Sequence, residues 1–266
     1  VLSLETLLPT AVISDIHGNA EALRAVLADI EKRGVDRIIC LGDIVGYGPE
    51  PLECVDLVRT RCQWSLMGNH DFAVLYEPTN FNQDAESAAY WTRAQFDSEP
   101  DEKLRTERYQ FLGKLRVRVM ETPPAGSFPI LAVHGSPRRP INEYIFATDP
   151  RMYPDKIKSV FERVEKVAIV GHTHVPGIFT DEPDFYPPDE LGESRSYTFR
   201  EDEKAVINVG SVGQPRDGIP HACYVIIHPE RAEFVRVPYN IDVTARKIRA
   251  IPELNDRLAN RLYEGQ

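Results

Sequence analysis

The 266 residues predict an α/β fold, with helices packed on a parallel sheet. Three observations lead there. Short apolar runs alternate with amphipathic helical stretches over residues 10–67, the pattern of strand, crossover helix and parallel strand. Glycine-containing patches rich in Asp, Asn and His follow these runs, as expected where strand ends converge on one edge of a sheet. No apolar run approaches the ~20 residues of a membrane span.

Residues 10–14 read as the first strand. Asn19 is an N-cap for a helix over 20–32, with Leu23, Val26, Leu27 and Ile30 on one face and Gly34 ending it. Residues 37–41 form the second strand. Pro49-Glu50-Pro51 opens a second helix carrying Leu52, Val55 and Val58, and residues 64–67 form the third strand. Residues 72–128 break the pattern. They hold helix-like stretches at 83–96 and 101–115 and no ligand-type motif, which predicts a helical insertion within a single domain spanning 1–266. Strands resume at 130–133 and 167–170, with a helix over 153–163 between them. Residues 181–203, rich in Pro, Asp, Glu and Ser, read as a surface excursion. The runs 205–209, 222–227 and 232–237 lie close enough together to predict mutual antiparallel pairing. Residues 241–263 read as helix, interrupted at Pro252.

Bulk properties narrow the function. A formal net charge of −10 argues against a sequence-independent grip on nucleic acid, and no stable nucleic-acid partner is expected. The four cysteines (Cys40, Cys54, Cys62 and Cys223) form no Cys-x-x-Cys pair and read as core residues in a reducing compartment. Residues 1–9 carry no basic segment followed by an apolar one. The expectation is therefore a cytoplasmic protein with no membrane association. Homo-oligomerisation stays open.

Five of the seven histidines fall in five patches: Asp15-Ile16-His17, Gly42-Asp43, Gly68-Asn69-His70-Asp71, His134-Gly135 and Gly171-His172-Thr173-His174. Each patch follows an apolar run. Asp15, Asp43 and Asn69 with His17, His134, His172 and His174 make an all-oxygen and nitrogen donor set, suited to two hard or borderline divalent ions. Two adjacent cations repel unless an anion is shared, and Asp43, isolated after Gly42, is the candidate bridge. Two such ions can hold a hydroxide that attacks phosphorus in line. Asn69 and His70 are neighbours and do not both ligate one ion. With Asn69 as ligand, His70 faces the mouth as a cationic or neutral donor, able to stabilise developing charge and protonate the leaving oxygen. Asp71 is then placed to orient it.

The ordered set, from Ala11-Val12-Ile13-Ser14-Asp15-Ile16-His17-Gly18-Asn19 to Asn208-Val209-Gly210-Ser211 and Gln214-Pro215-Arg216, resembles the calcineurin-like metallophosphoesterase superfamily. Within it the chain is most similar to the small bacterial and archaeal phosphodiesterases. The resemblance implies a four-layer α/β/β/α sandwich. It implies one metal on Asp15, His17, Asp43 and His174 and a second on Asp43, Asn69, His134 and His172, with His70 catalytic. Mn²⁺ is the first expectation, and Fe, Ni, Co, Zn and Mg²⁺ also serve in such enzymes. The implied partner is a small phosphoester held by Asn69, His70 and Arg216.

One departure bears on the substrate. Protein phosphatases of the superfamily carry Gly-Asp-x-Val-Asp-Arg-Gly, and symmetrical diadenosine tetraphosphatases keep that arginine. Here the loop reads Gly42-Asp43-Ile44-Val45-Gly46-Tyr47-Gly48. Tyr47 replaces an arginine able to fork onto a dianionic phosphate, which favours a diester. Arg138, Arg139 and Arg216 lie in loops near the motifs and could compensate. The alternatives are a phosphomonoesterase, a protein phosphatase, a dinucleoside polyphosphate hydrolase, or a non-catalytic scaffold of the same fold. The presence of His70 and every ligand position weighs against the scaffold.

Overall fold

The computed structural model describes residues 9–121 and 128–266. The chain opens with β1 (Thr10–Ile13), α1 (Ala20–Lys32), β2 (Arg37–Cys40), α2 (Pro51–Arg61) and β3 (Trp64–Ser65). Next come α3 (Asn69–Leu75), α4 (Gln83–Asp97), α5 (Glu102–Gly113), β4 (Arg118–Glu121) and β5 (Ile130–Val133). The middle holds α6 (Asp149–Met152), α7 (Pro154–Phe161), β6 (Val167–Val170), β7 (Gly177–Thr180), β8 (Asp184–Tyr186) and β9 (Ser196–Thr198). The last elements are β10 (Ala205–Asn208), β11 (Ala222–Ile227), β12 (Arg231–Val237), α8 (Ile241–Arg249) and α9 (Asp256–Glu264).

These strands form two mixed sheets, ordered β3-β2-β1-β11-β12-β9 and β4-β5-β6-β10-β7-β8. Side-chain alternation explains why the sheets stack. In β1, Ala11 and Ile13 join the helix-facing core while Val12 joins the layer between the sheets. In β2, Ile38 and Cys40 face the helices and Ile39 faces inward. The second sheet does the same: Val167 and Ile169 of β6 point inward, and Ala168 and Val170 pack outward beside Ile157, Val160 and Phe161 of α7. The result is the α/β/β/α sandwich that the resemblance implied.

The first helix matches its sequence signals. The Asn19 side chain accepts from the Ala22 N–H at 3.2 Å, and its amide donates to the Gly213 carbonyl at 2.9 Å, tying the cap to a distant loop. Leu23, Val26 and Ile30 are buried at helical spacing. α8 and α9 separate near Pro252 and pack on Tyr47 and α4 through Ala245, Ile248, Leu258, Ala259 and Leu262.

One helix is unforeseen and three expectations are corrected. The Gly68-Asn69-His70-Asp71 patch opens helix α3, because Asp71 at its third position accepts the Gly68 N–H at 3.0 Å. The segment 72–128 is not wholly helical: it ends in β4, which pairs antiparallel with β5, and residues 122–127 lie outside the described residues. The stretch 181–203 is not merely a surface excursion, since β8 extends the second sheet and β9 the first. β10 does not pair with β11 and β12; it runs parallel to β6 and antiparallel to β7 in the other sheet. The reading of residues 1–9 as free of a secretion signal falls almost wholly on residues outside the description. No described helix is long and apolar enough to cross a membrane. All four cysteines are free, with Cys40, Cys54 and Cys223 buried.

Candidate metal centre

β1 and β2 run parallel and deliver Asp15 and Asp43 at the same edge. The two loops are laced together: Asp15 N–H donates to the Gly42 carbonyl at 3.0 Å, and the Ile16 and His17 N–H groups donate to the Asp43 carbonyl at 2.8 and 2.9 Å. β5 and β6, parallel in the other sheet, deliver His134 and His172, and Gly171 N–H donates to the His134 carbonyl at 2.9 Å. Three buried donor groups result: Asp15, His17 and His174; His17, Asp43 and His70; and Asp43, His134 and His172, each with ligand atoms within 4.8 Å of one another.

Hydrogen bonding fixes which ring nitrogens face inward. His17 Nδ1 lies 3.2 Å from the Val45 carbonyl, His134 Nδ1 3.0 Å from Leu41, and His174 Nδ1 2.6 Å from Gln214. Each carbonyl needs a donor, so each Nδ1 carries the proton and each Nε2 turns a lone pair to the centre. His17 Nε2 and His174 Nε2 are then 3.1 Å apart, and His134 Nε2 is 3.2 Å from His172 Nδ1. Facing lone pairs repel unless a cation or proton lies between them. Donors around one ion, at ~2.0–2.2 Å from it, sit at about this spacing.

Asp43 links the groups. Its Oδ2 lies 3.6 Å from His17 Nε2 and 3.4 Å from His134 Nε2, while Oδ1 accepts the His70 N–H at 2.8 Å. Asp15 Oδ1 lies 3.2 Å from His174 Nε2, and its carboxylate accepts the His172 N–H. Asn69 Oδ1 is buried with no hydrogen-bond partner among the described residues. A buried acceptor left unpaired is costly, and a coordinated ion removes that cost. The donor set therefore fits divalent ions.

Asp71 does not take the role expected of it. Its carboxylate accepts the N–H groups of Asp43 at 2.8 Å, Ile44 at 2.9 Å and Gly68 at 3.0 Å, and it makes no hydrogen bond to the His70 imidazole. It positions the loop that carries Asp43. His70 is held instead by rings: Tyr47 at 4.4 Å, Phe81 at 4.6 Å and His17 at 4.8 Å between centroids. Its Nδ1 is buried and unpaired among the described residues.

The backbone marks the same residues. Eight described non-glycine residues have positive φ, and six of them are Asp15, His17, Asp43, Tyr47, His172 and His174. Left-handed backbone costs an L-residue roughly 1–2 kcal/mol, so the loop hydrogen bonds and packing must hold these residues there. Gly46, at φ +89, leaves room for His70, because a Cβ there would collide with the imidazole.

Charge is unevenly distributed. Burial would raise Asp15, but His174 outweighs it and holds the carboxyl well below its usual range; Asp43 is held down likewise against burial by His134 and His70. Burial opposes protonation of His134, yet Asp43 raises it to about 9. Burial, with His134 beside it, lowers His172 to about 3. Burial also lowers His70, to about 4, with Asp43 opposing and Arg216 assisting. Burial and the charge of Asp43 push Asp71 up to about 7.

The centre opens into a cleft of about 480 Å³ lined by Tyr47, Asn69, His70, Phe81, Arg139 and Tyr144, among others. The Tyr144 ring stacks on His172 at 3.8 Å and 16°. Arg216 flanks Tyr47, its guanidinium 6.0 Å from that ring's centroid, while Arg138 pairs with Glu143. The Asn208 amide donates to the Gly171 carbonyl and to Thr173, shaping the loop that bears His172 and His174. Sequence reasoning missed Tyr144, Phe81 and Arg261, the last also 6.0 Å from the Tyr47 ring. No motif flags them, since loops and a distant helix bring them in.

Comparison with known proteins agrees with this geometry. The chain is 39% identical to the uncharacterized protein MJ0912 of Methanocaldococcus jannaschii over 96% of this chain and 98% of that one. It is similar to the crystal structure of a metallophosphoesterase from Sphaerobacter thermophilus, with TM-score 0.79 and 36% identity over 98% of this chain and 100% of that one. The hypothetical protein PH1004 of Pyrococcus horikoshii OT3 shares the fold, with TM-score 0.73 at 20% identity over 98% and 99%. The calcineurin-like phosphoesterase superfamily domain matches residues 8–232. The chain belongs to the calcineurin-like phosphoesterase superfamily, whose members are metal-dependent hydrolases of phosphoesters.

Proposed function

We propose that this centre is a two-metal phosphodiesterase site. Asp15, His17, Asp43 and His174 hold one divalent ion, and Asp43, Asn69, His134 and His172 hold the other. Mn²⁺ is the first candidate, and Fe, Ni, Co, Zn and Mg²⁺ suit the same donors. The observation that carries this reading is Asp43 Oδ2, which faces His17 of one donor group and His134 of the other. When bound, such a pair supplies a nucleophilic water of lowered pKa and draws charge from phosphoryl oxygens.

The remaining work falls to side chains of this protein. Asp71 fixes the Asp43 loop through backbone N–H groups, so the shared carboxylate does not reorient during turnover. His70, wedged among Tyr47, His17 and Phe81, donates to a phosphoryl or leaving-group oxygen in the cleft. Tyr144 packs flat on His172 and keeps bulk water from that side. Tyr47, in place of a forked guanidinium, favours a diester monoanion over a dianionic monoester.

Metal-depleted protein reloaded with Mn²⁺ should bind about two equivalents and hydrolyse bis(p-nitrophenyl) phosphate in preference to p-nitrophenyl phosphate. A large monoester preference overturns the diester assignment. Full activity at one equivalent overturns the pair.

A further inference from the structure

Two guanidiniums converge on Tyr47. Arg216, from the loop after β10, and Arg261, from the C-terminal helix α9, each lie 6.0 Å from the centroid of that one ring. Neither has an Asp or Glu carboxylate within 4.0 Å among the described residues, whereas Arg24, Arg37, Arg108 and Arg236 all do. Arg216 donates through Nη2 to Gln214 Oε1 at 2.8 Å, and its Nε is buried without a partner. Arg261 donates through Nε to the main-chain oxygen of Gln266, the last residue of the sequence, and among the described residues its terminal nitrogens donate to nothing. Both positions are fixed by the fold. The Arg216 N–H is bonded to the His174 carbonyl at 3.2 Å, and α9 packs through Leu258, Ala259 and Leu262 into the cluster that includes Tyr47.

Two like charges held near one ring repel each other, and burial with Arg216 nearby lowers Arg261 to about 10. An anion between them relieves this. The arrangement is notable in a chain of net charge −10, which otherwise repels anions. The ring that both guanidiniums flank, Tyr47, lines the cleft with Tyr144, and the charge of Arg216 reaches His70, His174 and Tyr144. Two divalent ions against the carboxylates of Asp15 and Asp43 already match a nucleophile and a diester monoanion. The arginines are left for another anion, and a phosphate dianion matches two guanidiniums better than a carboxylate does.

We propose that Arg216 and Arg261 form an anion subsite on Tyr47 at the rim of the metal centre, and that the substrate is a phosphodiester bearing a second, terminal phosphate. The substrate class rests on the diesterase reading; the subsite does not.

Two measurements test it. The first compares alkyl p-nitrophenyl phosphates of several arm lengths whose far carbon bears hydrogen, a carboxylate or a phosphate. Mn²⁺-loaded wild type should favour the phosphate arm over the neutral one by about ten- to a hundredfold in kcat/KM, through KM, with the carboxylate arm between. Arg261→Gln should bring that ratio close to one, and Arg261→Lys should restore part of it. A wild-type ratio near one, equal preference for carboxylate, or an unchanged ratio in Arg261→Gln overturns the second-phosphate assignment. The second measurement is calorimetry of inorganic pyrophosphate into chelator-treated protein, which needs no turnover. Wild type should bind, and Arg261→Gln should bind at least about tenfold more weakly. Absent or equal binding overturns the subsite, while binding without diester hydrolysis keeps the subsite and rejects the diesterase reading.

Discussion

The floor and the rim of this site are built differently. On the floor, Asp15, Asp43, His134 and His174 are almost wholly inaccessible, and the inner atoms of each are set by bonds from the outer ones to the backbone. At the rim, Tyr144 is 39% exposed and Arg216 only half-buried, and the Tyr144 ring meets His172 through its face. A directional hydrogen bond fixes one geometry, whereas a face-to-face ring contact tolerates sliding and tilt. The floor therefore suits the chemistry common to a family, and the rim suits the choice of substrate.

The contrast predicts graded losses. Asp43→Asn, which removes the shared charge, should have the largest effect: loss of metal by elemental analysis and loss of all measurable diester hydrolysis. Normal metal content and rate in that variant would reject the shared-ligand assignment. His70→Ala comes next, with metal retained and kcat lowered by roughly 10²–10⁴-fold. If metal content falls with kcat, His70 belongs to the floor as a ligand. Asp71→Asn should weaken metal affinity by about 10–100-fold, the usual cost of losing an outer partner, and added Mn²⁺ should recover most of the rate. Gly46→Ala forces a Cβ toward His70 from a left-handed backbone, so a stability loss of ~1 kcal/mol or more should accompany a lower kcat. Tyr144→Leu should be mildest, altering KM among substrates more than kcat. A kcat loss as large as that of His70→Ala would move Tyr144 into the chemistry.

Legibility followed the same division. β1, α1, β2 and α2 were readable because short continuous apolar runs alternate with stretches whose apolar residues recur at helical spacing, and Asn19 and Pro51 sit at helix starts. The floor donors were readable because each patch follows a strand. α3 was not, because Asn69, His70 and Asp71 are weak helix formers that here serve the first turn of a helix. β8 and β9 were hidden in a segment whose Pro, Asp and Glu content reads as loop, since edge strands of three residues leave little periodicity to detect. The left-handed backbone at Asp15, His17 and Asp43 has no residue-type signature, because carboxylate and imidazole are chosen there for their donors. Arg261 lies in a polar helix 214 positions from Tyr47, and only the packing of α8 and α9 shows that they meet.

The origin of the inward-facing nitrogens has a mechanical consequence. His17 hangs from one sheet and His174 from the other, as do Asp43 and His134. An ion seated in either pair is a rivet through the sandwich at its open edge, joining halves whose shared layer is built mainly of oily side chains. Withdrawing the rivets should let that edge gape, so the melting temperature should climb with free Mn²⁺ as mass action dictates, even when no substrate is present.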